Sequence, residues 1–339
     1  MLPKHIFRSF LGNTNRSPKA TILFAHANGF NKEMYSPLIE DMTAIYPSFA
    51  TDRPENIELL SLDFQGHGSL GRNSSSSTSK IDLDSATKWC NLIQKDIFNA
   101  IEHATSDTSS PRIGVGMSLG GAALLLAQHQ RPNLFTHLYL MEPVLLCSKD
   151  VDSIETYRVQ HSPFQLKALK RKDNWTSKKN ALNYFTKRNA FSTLDTRAIQ
   201  AYVNGGTSRI LNHKDNTTRS CKEKKELDLN VVQDETVQLC CSPEYEAMIY
   251  TSLPVMAPKV LQQISESCHV TLCVGEKSTF SLSPLDNTAV EYYGNRVAPD
   301  LLKGGKKDIV VLKDCTHFAP MEKPKDVAQS ILSVVNTCK

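Results

Sequence analysis

A chain of 339 residues, 40% hydrophobic and 22% charged, has enough length for one large α/β domain or two smaller ones around a real core. Its net charge of +4 is too small to point to nucleic acid, no zinc-ligand or Walker pattern is present, and no apolar run reaches the length of a membrane span. The opening "MLPKHIFRSFLGNTNRS" lacks the uninterrupted apolar stretch of a signal peptide, the final "NTCK" is not a peroxisomal SKL-type address, and nine cysteines without a CxxC pair read as free thiols, so an intracellular, most simply cytoplasmic, protein is expected.

In chain order, "TILFAH" at 21–26 is a short β-branched apolar run that predicts a buried strand, followed by glycine and a helix near 35–46. "IELLSLD" at 57–63 predicts a second strand, ending in "FQGHGSLG" and a polar loop at 71–80. Ala86, Cys90, Ile93, Ile97, Ala100 and Ile101 recur at helical spacing. "RIGVGM" at 112–117 predicts the third strand, 119–130 a helix that stops before Pro132, and "THLYLMEPV" at 136–144 the fourth strand. Strands alternating with helices imply right-handed βαβ units, a mostly parallel sheet flanked by helices, and function at the carboxyl ends of the strands.

The alternation then stops. Residues 150–265 hold helical patterns, basic clusters and a polar stretch at 207–230, with little strand character apart from "TVQLCC". It resumes with "HVTLCVGE" at 269–276, a helix near 286–297, "DIVVLKD" at 308–314 and a helix from about 324 to 337. A two-part α/β core, 1–149 and 266–339, is therefore expected around a helical cap at 150–265, an insert too long for a loop. Within the cap, Phe164, Trp175, Tyr184 and Phe185 either line a pocket or form the cap's own core; aromatics at helical spacing favour the core for most of them. The cluster Lys167, Lys170, Arg171, Lys172, Lys178, Lys179, Lys187 and Arg188 reads mainly as a solvated helical face, with peripheral membrane contact as the second reading.

Chemistry concentrates in "GMSLGG". Ser118 stands in a G-x-S-x-G pattern between strand and helix, the context in which a strained turn exposes a nucleophilic serine. A serine needs a base. His317, in "KDCTHFAPMEKP", is the one histidine downstream at a strand-to-helix loop, where that base belongs in this chain order. An oxyanion hole requires two preorganised donors. Leu119 N–H is one candidate, and Asn28 N–H in "HANGF" is the other, the alternative being that residues 26–29 form only a tight turn. His26 and His67 read as structural, bridging loops and packing beside the site.

The pieces "HANGF", "DFQGHG", "GMSLGG" and "THFAPMEKP", in this order, resemble the α/β-hydrolase superfamily, and the cap stretches are similar to its fungal peroxisomal lipase and toxin-biosynthesis hydrolase branch. The resemblance implies a serine hydrolase of carboxylic esters, of esterase or lipase type and lipid-like in substrate, with no cofactor and no metal; a thioesterase and a non-catalytic binding protein on the same scaffold are the alternatives. It leaves the oligomeric state open. Three positions depart from many relatives: Ala27 replaces a glycine, Gln65 an arginine, and Ser278 stands after "VGEK" where the triad acid is usual. Two strand ends remain to supply that acid. Glu142 is the first choice, because a glutamate between Met141 and Pro143 needs a partner if buried, and Glu276 is the alternative.

Overall fold

The computed structural model describes residues 2–12, 14–49, 55–72, 86–107, 109–144, 146–147, 164–210, 235–250, 255–256, 258–281, 286–302 and 309–337. Most of the polar loop at 71–80, the start of the expected cap at 150 and most of the polar stretch at 207–230 lie outside them.

Seven strands form one sheet: β1 (Ile6–Leu11), β2 (Ala20–Ala25), β3 (Ile57–Leu62), β4 (Arg112–Met117), β5 (His137–Met141), β6 (His269–Gly275) and β7 (Ile309–Leu312). Their order across the sheet is β1-β3-β2-β4-β5-β6-β7. Every neighbouring pair is parallel except β1 with β3. The predicted strands and the helices α1 (Ser36–Phe49), α2 (Ala86–Glu102) and α3 (Leu119–Gln130) fall where the apolar periodicity puts them. β1 escaped the pattern because "IFRSFL" is an edge strand in which only Ile6 and Leu11 are buried.

The period-two alternation of β2 divides its side chains between two cores. Leu23 and Ala25 face α2 and α3, while Ile22 and Phe24 face α1 and the last helix, α8 (Pro324–Thr337). α3 lies so close to the sheet that a Cβ on Gly120 would stand 2.0 Å from the Ala25 carbonyl oxygen.

Between β5 and β6 run a helical stretch at 164–169, then α4 (Lys178–Thr186), α5 (Thr196–Gly206), α6 (Pro243–Tyr250) and α7 (Pro258–Ser267). This region is not purely helical. Asn174–Trp175, Val237–Leu239 and Thr207–Arg209 form a three-stranded antiparallel sheet, two of whose strands are too short to register as periodicity. Trp175 and Phe185 are buried with Tyr202 in one cluster, whereas Phe164 is 41% exposed, so the four aromatics divide between core and surface.

Gly120→Ala is expected to lower stability by about 3 kcal/mol, because the added methyl must push α3 off β2 against close packing. Urea unfolding of the two proteins measures it; equal stability would mean that α3 can shift at little cost.

Candidate active site

The parallel register sets the site. Met117 pairs with Met141 and Met141 with Cys273, so β4 and β5 end level with one another and β6 runs on from there to Gly275. Ser118, Glu142 and the segment after Gly275 therefore leave the sheet along one edge, and His317 follows β7 on the same edge.

Ser118 has φ 53° and ψ −115°, a conformation that costs a side-chain-bearing residue energy and must be imposed from outside. Its amide donates to Met141 O at 2.9 Å and its carbonyl accepts from Val144 N–H at 3.1 Å and Ala122 N–H at 3.1 Å. The turn is thus clamped to the end of β5 on one side and to the first turn of α3 on the other.

Glu142 is buried and also has positive φ, 42°. Its Oε1 accepts from Gly275 N–H at 2.9 Å; its Oε2 accepts from Ser278 Oγ–H at 2.8 Å and from His317 Nδ1–H at 2.7 Å. The structure therefore brings Glu142 to His317, and Ser278, in the position of the usual acid, donates to it. Glu276 goes elsewhere: it is exposed, and its Oε2 accepts from Asp314 N–H at 2.9 Å in a surface turn. The His317 ring stacks on Phe280 with centroids 4.2 Å apart.

Ser118 and His317 line one cavity of about 530 Å³, together with Asn28, Leu119, Phe30 and Phe318. No hydrogen bond joins the Ser118 hydroxyl to His317, and both residues line the shared space. The Gly29 and Phe30 amides are committed, the first to His67 Nε2 at 3.1 Å and the second to Ala27 O at 3.2 Å. The Asn28 and Leu119 amides have no acceptor among the described residues. Gly29 has φ 76°, and a Cβ there would meet the Glu246 carboxylate at 2.8 Å, so the "HANGF" turn tolerates no side chain at that point.

Two buried histidines hold this turn. His26 Nδ1–H donates to Ala27 O at 2.8 Å, leaving Nε2 to accept from Phe64 N–H at 3.1 Å. His67 Nδ1–H donates to Gln65 O at 3.1 Å, leaving Nε2 for Gly29. Each ring in its neutral form matches one donor and one acceptor. Burial pushes the His26 pKa down to about 4 and that of His67 down to about 3. Beneath them Asp63, a strand-end residue that opens the "DFQGHG" stretch and for which sequence reasoning indicated no role of its own beyond a structural one, anchors the turn: Oδ1 accepts from Lys32 N–H at 2.8 Å, and Oδ2 from Lys32 Nζ at 2.6 Å and Ser69 N–H at 2.9 Å.

One member of the basic cluster is not on a solvated face. Arg171 turns inward to the cavity wall, where Nη1 lies 2.7 Å from Glu246 Oε2 at ion-pair distance. Glu246, also missed from sequence, packs on Gly29, and its carbonyl accepts from Asn28 Nδ2 at 3.1 Å. Among the described residues no group of three or more His, Cys, Asp or Glu side chains is placed to hold a metal, and no helix is long and apolar enough to cross a membrane.

Residues 22–330 match a family described as the alpha/beta hydrolase family. Among solved structures, the chain is similar to the peroxisomal alpha-beta-hydrolase Lpx1 of Saccharomyces cerevisiae, with TM-score 0.63 and 15% identity over 95% of this chain and 77% of that one. It is also similar to an esterase of M. tuberculosis, with TM-score 0.57 and 14% identity over 99% and 90% of the two chains. At these identities the likeness is one of fold. In sequence it is 26% identical over 128 residues to the type I acyl-CoA thioesterase mpaH of Penicillium roqueforti, a match that spans 38% of this chain and 27% of the relative.

Because both histidines are held neutral, unfolding below pH 6.5 takes up protons that the folded state refuses. Stability is therefore full above pH 6.5 and is lost as pH falls toward 4 and 3, each ring adding a slope of about 1.4 kcal/mol per pH unit within its window. In His67→Gln the slope of unfolding free energy between pH 6.5 and 5 is expected to be shallower than in the parent. Equal slopes would mean that His67 is not neutral in the folded protein.

Proposed function

The chain belongs to the alpha/beta hydrolase family, and within it we propose that it is a serine hydrolase acting on carboxylic esters through an acyl-enzyme on Ser118. The observation that carries this reading is one cavity bordered by a serine in a strained strand-to-helix turn and by a histidine whose far nitrogen is fixed on a buried carboxylate. His317 takes the Ser118 proton as Oγ attacks the ester carbonyl, and the Asn28 and Leu119 amides receive the developing oxyanion. His317 then gives the proton to the leaving alkoxide, and a water activated by His317 hydrolyses the acyl-enzyme. Glu142 holds the Nδ1–H tautomer and stabilises the imidazolium.

Residues 150–265 serve as the cap. Phe164, Phe185, Phe191, Ile249 and Tyr250 from this segment give the cavity an apolar wall suited to an acyl chain. A second reading, thioester hydrolysis by the same residues, is favoured by the partial match to an acyl-CoA thioesterase. A compartment within the cell is supported by six described cysteines that are all free thiols.

Ser118→Ala is expected to lower the turnover of a p-nitrophenyl ester by at least about a thousandfold and to abolish labelling by a fluorophosphonate, with the fold unchanged by circular dichroism. Parental turnover would rule out this nucleophile and, with it, the mechanism.

Glu142→Gln is expected to lower kcat by about a thousandfold or more, because the amide cannot compensate an imidazolium, whereas Glu276→Gln keeps near-parental kcat. Adding Ser278→Asp to Glu142→Gln restores part of the loss, since residue 278 already reaches the Glu142 carboxylate at 2.8 Å. If Glu276→Gln is the variant that loses activity, the acid is misassigned.

A further inference from the structure

Among the described residues the mouth of the cavity is basic. Lys167, Lys170 and Arg188 line it and are exposed, and none forms an ion pair among the described residues. Among the described residues that line the cavity the one carboxylate, Glu246, is already matched by Arg171. The charge does not stop at the mouth. The end of α4 that contributes Arg188 also contributes Tyr184 and Lys187 to a neighbouring surface recess of about 410 Å³, which Lys172 and Trp175 complete. Arg188 Nη1 donates to the Tyr184 hydroxyl where the two spaces meet. Lys172 Nζ lies 5.6 Å from the Tyr184 ring centroid and 5.9 Å from that of Trp175. Among the described residues no acidic one lines this recess.

Five cations along a strip that begins at an apolar cavity repel one another, and solvent only partly screens them; a polyanion is what such a strip attracts and concentrates. The layout also has a direction. The apolar walls surround the proposed nucleophile, and the cations lie outward of it. An ester or thioester seated with its acyl chain inside would place its leaving group along the strip.

Building on the serine-hydrolase reading, we infer that the preferred substrate is an acyl thioester whose leaving group carries phosphates and a nucleotide, that is, an acyl-CoA. In the first step the Ser118 Oγ–acyl carbon bond forms and the carbon–sulfur bond breaks, with the serine proton passing through His317 to the departing sulfur. Water then adds to the acyl-enzyme and releases the carboxylic acid and free Ser118. The phosphates take no part in bond changes; Lys167, Lys170, Arg188, Lys172 and Lys187 hold them.

The test compares two thioesters of the same acyl group, octanoyl-CoA and octanoyl-N-acetylcysteamine, in the parent and in a variant carrying Lys167→Gln, Lys170→Gln, Arg188→Gln, Lys172→Gln and Lys187→Gln. The ratio of kcat/KM for the CoA thioester over its uncharged analogue is expected to exceed one in the parent, to fall about tenfold in the variant, and to fall as salt rises. CoA binding to Ser118→Ala by calorimetry, with pantetheine as the uncharged control, is expected to weaken by a similar factor when the five substitutions are added. This readout needs no catalysis. If no ester or thioester is turned over yet CoA binds in this charge-dependent way, the serine-hydrolase reading fails and the polyanion site stands. If CoA does not bind and the ratio is unmoved by the substitutions, the inference falls while ester hydrolysis is untouched. Preference for an acyl group bearing its own carboxylate over octanoyl-CoA, or a loss in the variant seen only on anionic phosphatidylserine vesicles, would equally overturn it by placing the anion on the acyl side or on a membrane.

Discussion

The close approach of α3 to the sheet is the constraint on which the rest depends. A helix whose second residue, Gly120, sits against the Ala25 carbonyl leaves no room for a relaxed exit from β4, so the single residue that joins strand to helix is forced to positive φ. Glycine would adopt that conformation at little cost. A serine is there instead, held by bonds to Met141, Val144 and Ala122, and it is left at the rim of a cavity rather than in either core. The strain is carried by packing that would exist for fold stability alone, since the two hydrophobic clusters on either face of the sheet fix both α3 and β5.

The same edge explains how a carboxylate from the end of β5 reaches the histidine. β5 and β6 are parallel neighbours in level register, so a carboxylate leaving the end of β5 and a side chain leaving β6 three residues beyond Gly275 converge on one point. Ser278 and Glu142 meet there and both address the space beside His317 Nδ1. A buried carboxylate is tolerable only with donors around it. Glu142 has a backbone amide, a hydroxyl and an imidazole, and Ser278 supplies the hydroxyl.

Much of this was legible in the sequence because it depends on local chemistry. The strand–turn–helix around Ser118, the helix stop before Pro132 and the loop that carries His317 follow from periodicity and from small residues at a tight turn. The choice of Glu142 over Glu276 followed from the cost of an unpartnered buried charge, and the geometry places Glu142 on His317 and Glu276 in a surface turn. What was not legible is what depends on distant pairing. β1 is a half-exposed edge strand, defined by its hydrogen bonds to β3 rather than by its own pattern. The small antiparallel sheet after β5 joins residues far apart in the chain, and its strands carry two or three residues each. Arg171 looks like its basic neighbours until Glu246, from α6, meets it. Asp63 looks like any residue after a strand until Lys32 and Ser69 close on it.

Charge in the molecule is sorted by what surrounds it. Under the "HANGF" turn the histidines are held neutral by burial and Lys32 is matched by Asp63 and Glu33. At the cavity wall a single arginine is matched by a single glutamate. Outward of the wall, where solvent lowers the cost of unmatched charge, Lys167, Lys170, Arg188, Lys172 and Lys187 form no ion pair among the described residues. A preorganised pair of amides works best in a dry and electrically quiet pocket, and an attractive field works best at the entrance, where it acts on a substrate before it is desolvated. Folding stability alone accounts for the matched charges in the interior. It gives no reason for the unmatched strip outside, since mutual repulsion among its members opposes the folded state, and so the strip is where the physical argument turns from stability to function.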